Sequence, residues 1–412
     1  MNQIARNISW LTIGNVAVKP IWFVFITYVC IRYMGLAQYG SMTAALALMS
    51  ICDGSLTLGS STYTIRELAR SRDRSDIFFS NFLVSRLFFS LLAISIGLAI
   101  KWAIGPSSGI EIVLFAGTYV LARNLLEYCR AMFRAHEIFR FEAYSTILEK
   151  IFVVAFGWIA LTYTPTASSA LLGMSAGMLV SFFLNFGWVS AKIAKFRLAL
   201  FSLEFFKTSM PKAAPLGLAS VFVLLYYRTD SIMIEAFEGE LVAGQYGIAF
   251  RVTEAMVLLP YIVTSVLLPR LSSLYETSRE EFRVLARRGA LGMGGLSIIA
   301  AVAVFIFAPV IVGLIDAHSE AEPAVLLLQV LVFSFVLGSI NQIMTTVLTA
   351  SNKQNRLAAI LGLAAVTNIG LNLYFIPLYS AMGAAAATVA TQVIIMLLFG
   401  LTIARSSPES TD

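Results

Sequence analysis

The chain has 412 residues, of which 58% are hydrophobic and only 13% charged, and its mean hydropathy is +0.83. A soluble domain carries about 25% charged residues, so composition excludes a soluble enzyme and indicates a polytopic helical membrane protein. The net charge of +6 is not a nucleic-acid signal, because the charge lies mostly in loops between apolar stretches.

Twelve apolar stretches are predicted to span a bilayer: 9–31, 38–61, 77–100, 110–132, 143–163, 167–190, 213–236, 243–268, 290–315, 323–350, 357–377 and 382–404. Each is long enough, since about 20 helical residues cover roughly 30 Å of hydrocarbon. The first stretch lacks a small-residue cleavage site and reads as a retained span. With the amino terminus in the cytoplasm, 20 basic residues fall in cytoplasmic segments and only Arg32 and Lys101 outside. This asymmetry in short loops predicts that both termini are cytoplasmic.

The chain repeats itself. Gln38-Tyr39-Gly40 returns as Gln245-Tyr246-Gly247, 207 residues later, and at the same offset Ser71-Arg72-Asp73 matches Ser278-Arg279-Glu280. Six spans per half is an even number, so the halves insert with the same polarity as parallel repeats. The expected organisation is an N-terminal six-helix lobe, 1–200, and a C-terminal one, 201–412. Near the boundary, the run from Ala199 to Lys207 mixes aromatics with charge and suits the membrane surface. The short external loops leave no room for an extracytoplasmic catalytic domain.

Seven basic residues fall inside the spans: Lys19, Arg86, Arg123, Arg130, Lys150, Arg228 and Arg251. At about 2.5–3.5 kcal/mol each at mid-depth, lipid exposure of all seven would cost roughly 20 kcal/mol. Most must therefore face protein or a hydrated cavity. Arg123, Glu127, Arg130 and Arg134 recur at i, i+4, i+7 and i+11, within an arc of about 60° on one helix face. Guanidinium groups match phosphate through bidentate, charge-assisted hydrogen bonds. The competing reading is a ladder in which Glu127 neutralises Arg123 and Arg130, with Arg134 an interfacial anchor.

Lys19 stands beside Pro20, where the missing N–H lets the helix bend, and Asn15 lies one turn earlier. A cargo contact at a gating helix is expected there, against the alternative of a Lys19–Asp53 pair. In spans seven and eight, Arg251 and Glu254 share a face at i, i+3. An Asp230–Arg251 bridge is the structural alternative that leaves Arg228 facing a cavity. Arg86 and Lys150 are the weaker candidates, near enough to a span end to snorkel. Five acids are intramembrane: Asp53, Glu127, Glu149, Asp230 and Glu254. Of these Asp53, Glu127, Asp230 and Glu254 are candidates for proton or cation coupling.

Other chemistry has little support. Cys30, Cys52 and Cys129 have no metal-ligand spacing, and His136 and His318 lie far apart, so no metal site is expected. No GxxxxGK[ST] loop is present, which excludes ATP as a fuel bound by this chain and leaves a proton or sodium gradient. The run Gly383 to Ala387 and the cluster Gly292, Gly294 and Gly295 are expected to permit close helix packing.

Several segments together resemble the polysaccharide and O-antigen flippases of the multidrug/oligosaccharidyl-lipid/polysaccharide exporter superfamily. They are Arg32 to Gly40, Tyr227 to Met233, Gly244 to Tyr246 with Arg251, Leu268 to Leu271, and Asn368, Asn372, Pro377 and Met382 to Ala385. Ser380 departs from the pattern, standing where the family often has glycine. The resemblance implies an all-α fold of twelve transmembrane helices in two six-helix lobes around a central cavity, and a transporter rather than an enzyme. It implies alternating access that carries undecaprenyl-diphosphate-linked oligosaccharide across a bacterial inner membrane, in company with membrane lipid and a polysaccharide polymerase complex. Lys19, Arg123, Arg130, Arg228 and Arg251 are then the phosphate or glycan contacts. A multidrug or cation antiporter of the same superfamily is the first alternative and a membrane polysaccharide polymerase the second.

Overall fold

The computed structural model describes residues 18–104, 109–316 and 320–404, so Asn15 and His318 lie outside the described residues, as does the Lys19 side chain. All secondary structure in those residues is helical. In hydrocarbon, a backbone whose polar groups cannot reach water must satisfy them within each segment, and the helix does so.

The order begins with α1 (Lys19–Phe23), a π-helical turn (Val24–Val29) and α2 (Cys30–Met34), followed by α3 (Leu36–Leu56) and α4 (Ser60–Arg70). Next come α5 (Ser75–Ile104), α6 (Ile110–Ala135), α7 (Phe139–Tyr163) and α8 (Ala167–Lys192). The chain ends with α9 (Leu203–Glu238), α10 (Glu240–Met256), α11 (Leu258–Thr277), α12 (Arg279–Ile315), α13 (Glu322–Ala350) and α14 (Gln354–Ala404). Among the described residues nine helices, with α10 and α11 taken together, are long and apolar enough to cross a membrane, and the bent pair α3 and α4 adds a tenth. A non-helical residue, Ser380, divides α14 into two spans, and the shorter apolar helix Pro20–Met34 marks the first, which recovers the twelve expected.

Contacts divide the chain within α9, into Met1–Leu224 and Leu225–Asp412. In the first unit α6 is the hub, packing against α3, α4, α5, α7 and α8. In the second α13 is the hub, against α10, α11, α12 and α14. Each hub is the fourth span of its half. Ser71 and Ser278, the repeated serines, also share a backbone conformation (φ −150°, ψ 101° and φ −153°, ψ 103°), each just ahead of a long helix. Ser278 caps α12 by accepting from the Glu281 N–H, with Glu281 at the third helical position as in a capping box.

Small residues set the closest approaches. An added methyl at Gly173 or Gly177 of α8 would strike the backbone of Phe156 or Phe152 on α7, so this Gly-x-x-x-Gly face lets the two helices meet backbone to backbone. Gly383 presses likewise on the Phe375 carbonyl. The glycine cluster on α12 differs from expectation, because Gly292 and Gly295 face open space and only Gly294 has a neighbour, Ile340. Leu198–Leu200 forms one 3₁₀ turn strapped along α5, and from Leu203 onward the chain is already α9. The strap is held by Asn81, whose amide donates to the Leu200 carbonyl at 2.8 Å and whose oxygen accepts from the Ser202 N–H at 2.7 Å.

Candidate functional site

Arg123 apart, the intramembrane charges among the described residues fall into four groups, two in each unit. In the first, Arg86 of α5 is only 5% exposed and does not snorkel. Its guanidinium donates to the Asn124 carbonyl (2.9 Å) and side-chain oxygen (2.5 Å), and to Ser60 and Ser61 Oγ (2.7 Å each). It also lies 4.8 Å from the Tyr128 ring centroid. Asn124 in turn donates to Asp53 Oδ1 at 3.2 Å, and the Ser90 hydroxyl donates to the same oxygen. The group straddles the break between α3 and α4, because Asp53 belongs to the first and Ser60 and Ser61 open the second. Asp53 is thus held by Ser90 and Asn124.

The second group lies on the polar stripe of α6. Arg130 donates to Glu149 Oε2 (2.6 Å) and Ser145 Oγ (2.8 Å) and lies 3.6 Å from Glu127. Glu127 also pairs with Arg134, which reaches Glu142 at 3.4 Å. Lys150 donates to Glu149 at 2.6 Å and sits 4.4 Å from the Trp22 ring centroid, so it too is pinned. Three acids and three bases make this group neutral. The ladder reading is therefore realised for Arg130 but not for Arg123, and Arg134, read as an interfacial anchor, joins the cluster instead. Arg123 is exposed and makes no ion pair or hydrogen bond among the described residues.

In the second unit, Glu254 is gripped by two arginines. Arg228 donates to Oε1 at 3.0 Å and Arg251 to Oε2 at 2.7 Å. Two guanidinium groups thus converge on one carboxylate, each on a different oxygen. The alternative of an Asp230–Arg251 bridge gives way to this fork, because Arg251 turns to the acid on its own face, three residues along α10, and Arg228 joins it there.

Asp230, 1% exposed, makes the fourth group. It accepts from Tyr246 Oη (2.8 Å), Asn372 Nδ2 (2.5 Å) and Thr388 Oγ1 (2.7 Å). Asn372 is itself oriented by Asn368, through an amide-to-oxygen bond of 3.1 Å. No basic side chain pairs with Asp230 among the described residues. The four candidate coupling acids therefore differ in kind. Glu127 and Glu254 are arginine-bound and Asp53 is tied to Arg86 through Asn124, while Asp230 meets neutral donors alone. A cavity of about 40 Å³ in this unit is lined by both Glu254 and Thr388.

Sequence reasoning missed Asn124, Ser60, Ser61, Ser90 and Thr388. Tyr246 and Asn372 carried a signal without a role, one in the repeated Gln-Tyr-Gly element and the other in the asparagine pair. No cluster of three or more His, Cys, Asp or Glu side chains suited to a metal occurs among the described residues.

The model of the polysaccharide biosynthesis protein family matches residues 4–275. The chain belongs to that family. A second family model, MatE, matches residues 215–374. No curated sequence is a significant relative by pairwise comparison. Among solved structures, the lipid II flippase MurJ in an inward closed conformation is similar with a TM-score of 0.76, at 14% identity over 95% of this chain and 87% of MurJ. An inward-facing multidrug resistance MATE family transporter of the MOP superfamily gives 0.71, at 14% identity over 96% of this chain and 94% of its own. A MOP superfamily transporter from Pyrococcus furiosus, described as having a binding pocket of reverse polarity, gives 0.67, at 14% identity over 98% and 95%. The family member described here is a multi-pass membrane protein with the MOP superfamily fold.

Proposed function

We propose that this protein is a flippase that moves undecaprenyl-diphosphate-linked oligosaccharide, an O-antigen or other polysaccharide repeat unit, across the bacterial inner membrane by alternating access. Both termini lie in the cytoplasm in this reading, as the loop charge asymmetry favours. The observation that carries it is the Arg228–Arg251 fork, a pair of guanidinium groups in membrane-spanning helices that converge on the two oxygens of one carboxylate, the arrangement that suits an anion. Arg123, exposed and unpaired among the described residues, is a second anion contact. Arg130, closed within a neutral cluster, holds helices together and contributes little to cargo. Asp230 is the ion-coupling group for a proton or sodium gradient, because it alone of the four candidate acids has no arginine in its hydrogen-bond network among the described residues.

The test is Arg228→Ala, Arg251→Ala and the double variant in a strain lacking the native protein, scored for surface polysaccharide and for protein in the membrane. Loss of polysaccharide with protein retained is expected, and full export by the double variant overturns the reading. The second reading, a multidrug or cation antiporter, draws on the MatE match over the stretch that contains Asp230. It requires that deletion change drug sensitivity, which the flippase reading does not.

A further inference from the structure

The Arg228–Arg251 fork is occupied by an acid of the chain itself. Each guanidinium takes a different oxygen of the Glu254 carboxylate, the geometry in which two arginines would share two oxygens of a phosphate. We infer that Glu254 is a built-in counter-anion that holds the fork closed in the absence of cargo, and that a diphosphate headgroup binds by displacing it. The inference rests on the reading of the fork as a diphosphate site.

Three observations support displacement over a permanent brace. First, the Glu254 side chain is 36% exposed against 25% for Arg228 and 14% for Arg251, so the acid occupies the open side and the arginines the closed side. Second, Glu254 sits in the last turn of α10, where the helix tightens (Val257 N–H to Glu254 C=O, 3.2 Å) before breaking into α11. A side chain there moves with little disturbance to helix packing. Third, Glu254 also lines the 40 Å³ cavity, together with Thr253, Ser334, Gln342 and Thr388. At ~10–15 Å³ per water, that space holds about three waters among hydroxyl and amide groups. A displaced carboxylate has a polar place to go.

The energetics follow from competition. If the closed fork outweighs the open one by about tenfold, the apparent affinity for an anion falls by the same factor. Removing the internal carboxylate restores it.

The experiment measures binding of farnesyl diphosphate to the purified full-length protein in detergent, with inorganic pyrophosphate as a competitor without the lipid tail. Glu254→Gln, which keeps the shape and loses the charge, is expected to bind about tenfold tighter than native protein. Glu254→Asp, whose shorter arm reaches the fork less well, should fall between and serves should the glutamine variant fail to fold. Pyrophosphate should compete in both, since the fork recognises phosphate oxygens and not the tail. Unchanged or weaker binding by Glu254→Gln and Glu254→Asp, while Arg251→Ala loses binding, overturns the inference and leaves the diphosphate site standing. Native-like binding by Arg228→Ala and Arg251→Ala, or no binding to native protein, overturns the diphosphate site and the inference with it.

Discussion

Removing Arg86 tests whether a buried intramembrane cation serves architecture. Its guanidinium makes four hydrogen bonds to α6 and to the first turn of α4, and Asp53 is tied to the same network through Asn124. Hydrogen bonds within membrane proteins average about 0.6 kcal/mol each, which would give roughly 2.4 kcal/mol. Breaking a buried charge network leaves an uncompensated ion, which costs about 3–5 kcal/mol. The second term dominates, because Asp53 stays buried when Arg86 goes. Arg86→Ala is therefore expected to lose about 3–5 kcal/mol, or ~6–10 °C in Tm at about 2 °C per kcal/mol. Arg86→Met with Asp53→Asn removes both charges and should recover part of that, with a coupling of about 1–2 kcal/mol. Cys30, Cys52 and Cys129 are all buried and free, so a thiol-reactive fluorophore reports unfolding directly in detergent. A melting temperature for Arg86→Ala within about 2 °C of native, or strict additivity in the cycle, refutes the reasoning.

Two further predictions concern the fold. Ser380 holds φ 54° and ψ −143°, a region that glycine alone occupies without strain of order 1–3 kcal/mol. Ser380→Gly should therefore raise stability by about 1 kcal/mol, whereas Gly383→Ala, whose methyl meets the Phe375 carbonyl, should lower it, both read from the same thermal melts. His136 lies in the turn after α6, between the Met132 carbonyl and Ser75 Oγ at 3.0 Å each. Burial first, and Arg72 second, push its pKa below the usual histidine value, although the bond to Met132 opposes them. The folded form thus favours the neutral ring. Its contribution is present above the ordinary histidine range and is lost as pH falls through the lowered folded value. Melts from pH 8 to pH 5 should decline on the acid side, and His136→Gln should flatten that decline; an unchanged slope would remove His136 from the account.

The spans were legible because hydropathy acts over 20 residues, and a membrane leaves the backbone one economical choice. The pairing of Arg251 with Glu254 was half legible, since i, i+3 places two residues on one helix face. The partners of Arg86 and Asp230 were not. Asn124 is 38 positions from Arg86, while Asn372 and Thr388 are 142 and 158 positions from Asp230. Helical periodicity says which way a side chain points on its own axis and nothing about which neighbour it meets. For that reason the Asp230–Arg251 bridge, plausible on depth alone, lost to a nearer acid. Ser380 was different: the departure from glycine was visible, but its meaning depended on a backbone angle.

The cost of burying charge in hydrocarbon explains why most of the intramembrane cations have partners, and so a partner is no evidence for or against a role in transport. Access separates the groups instead. The six-member cluster on α6 and α7 has no charge to offer, and an anion entering it would have to break Arg130 from Glu149 and gain nothing electrostatically. The Arg228–Arg251 fork brings two guanidinium groups to one carboxylate and keeps that carboxylate on the exposed side. An incoming diphosphate there exchanges one anion for a stronger one, so the arginines never face the bilayer interior unpaired. The desolvation of the two guanidinium groups has already been met in the resting protein, and the binding free energy of the headgroup is the difference between two similar interactions. Such a difference is small enough to reverse, which a carrier that must release its cargo on the other side requires.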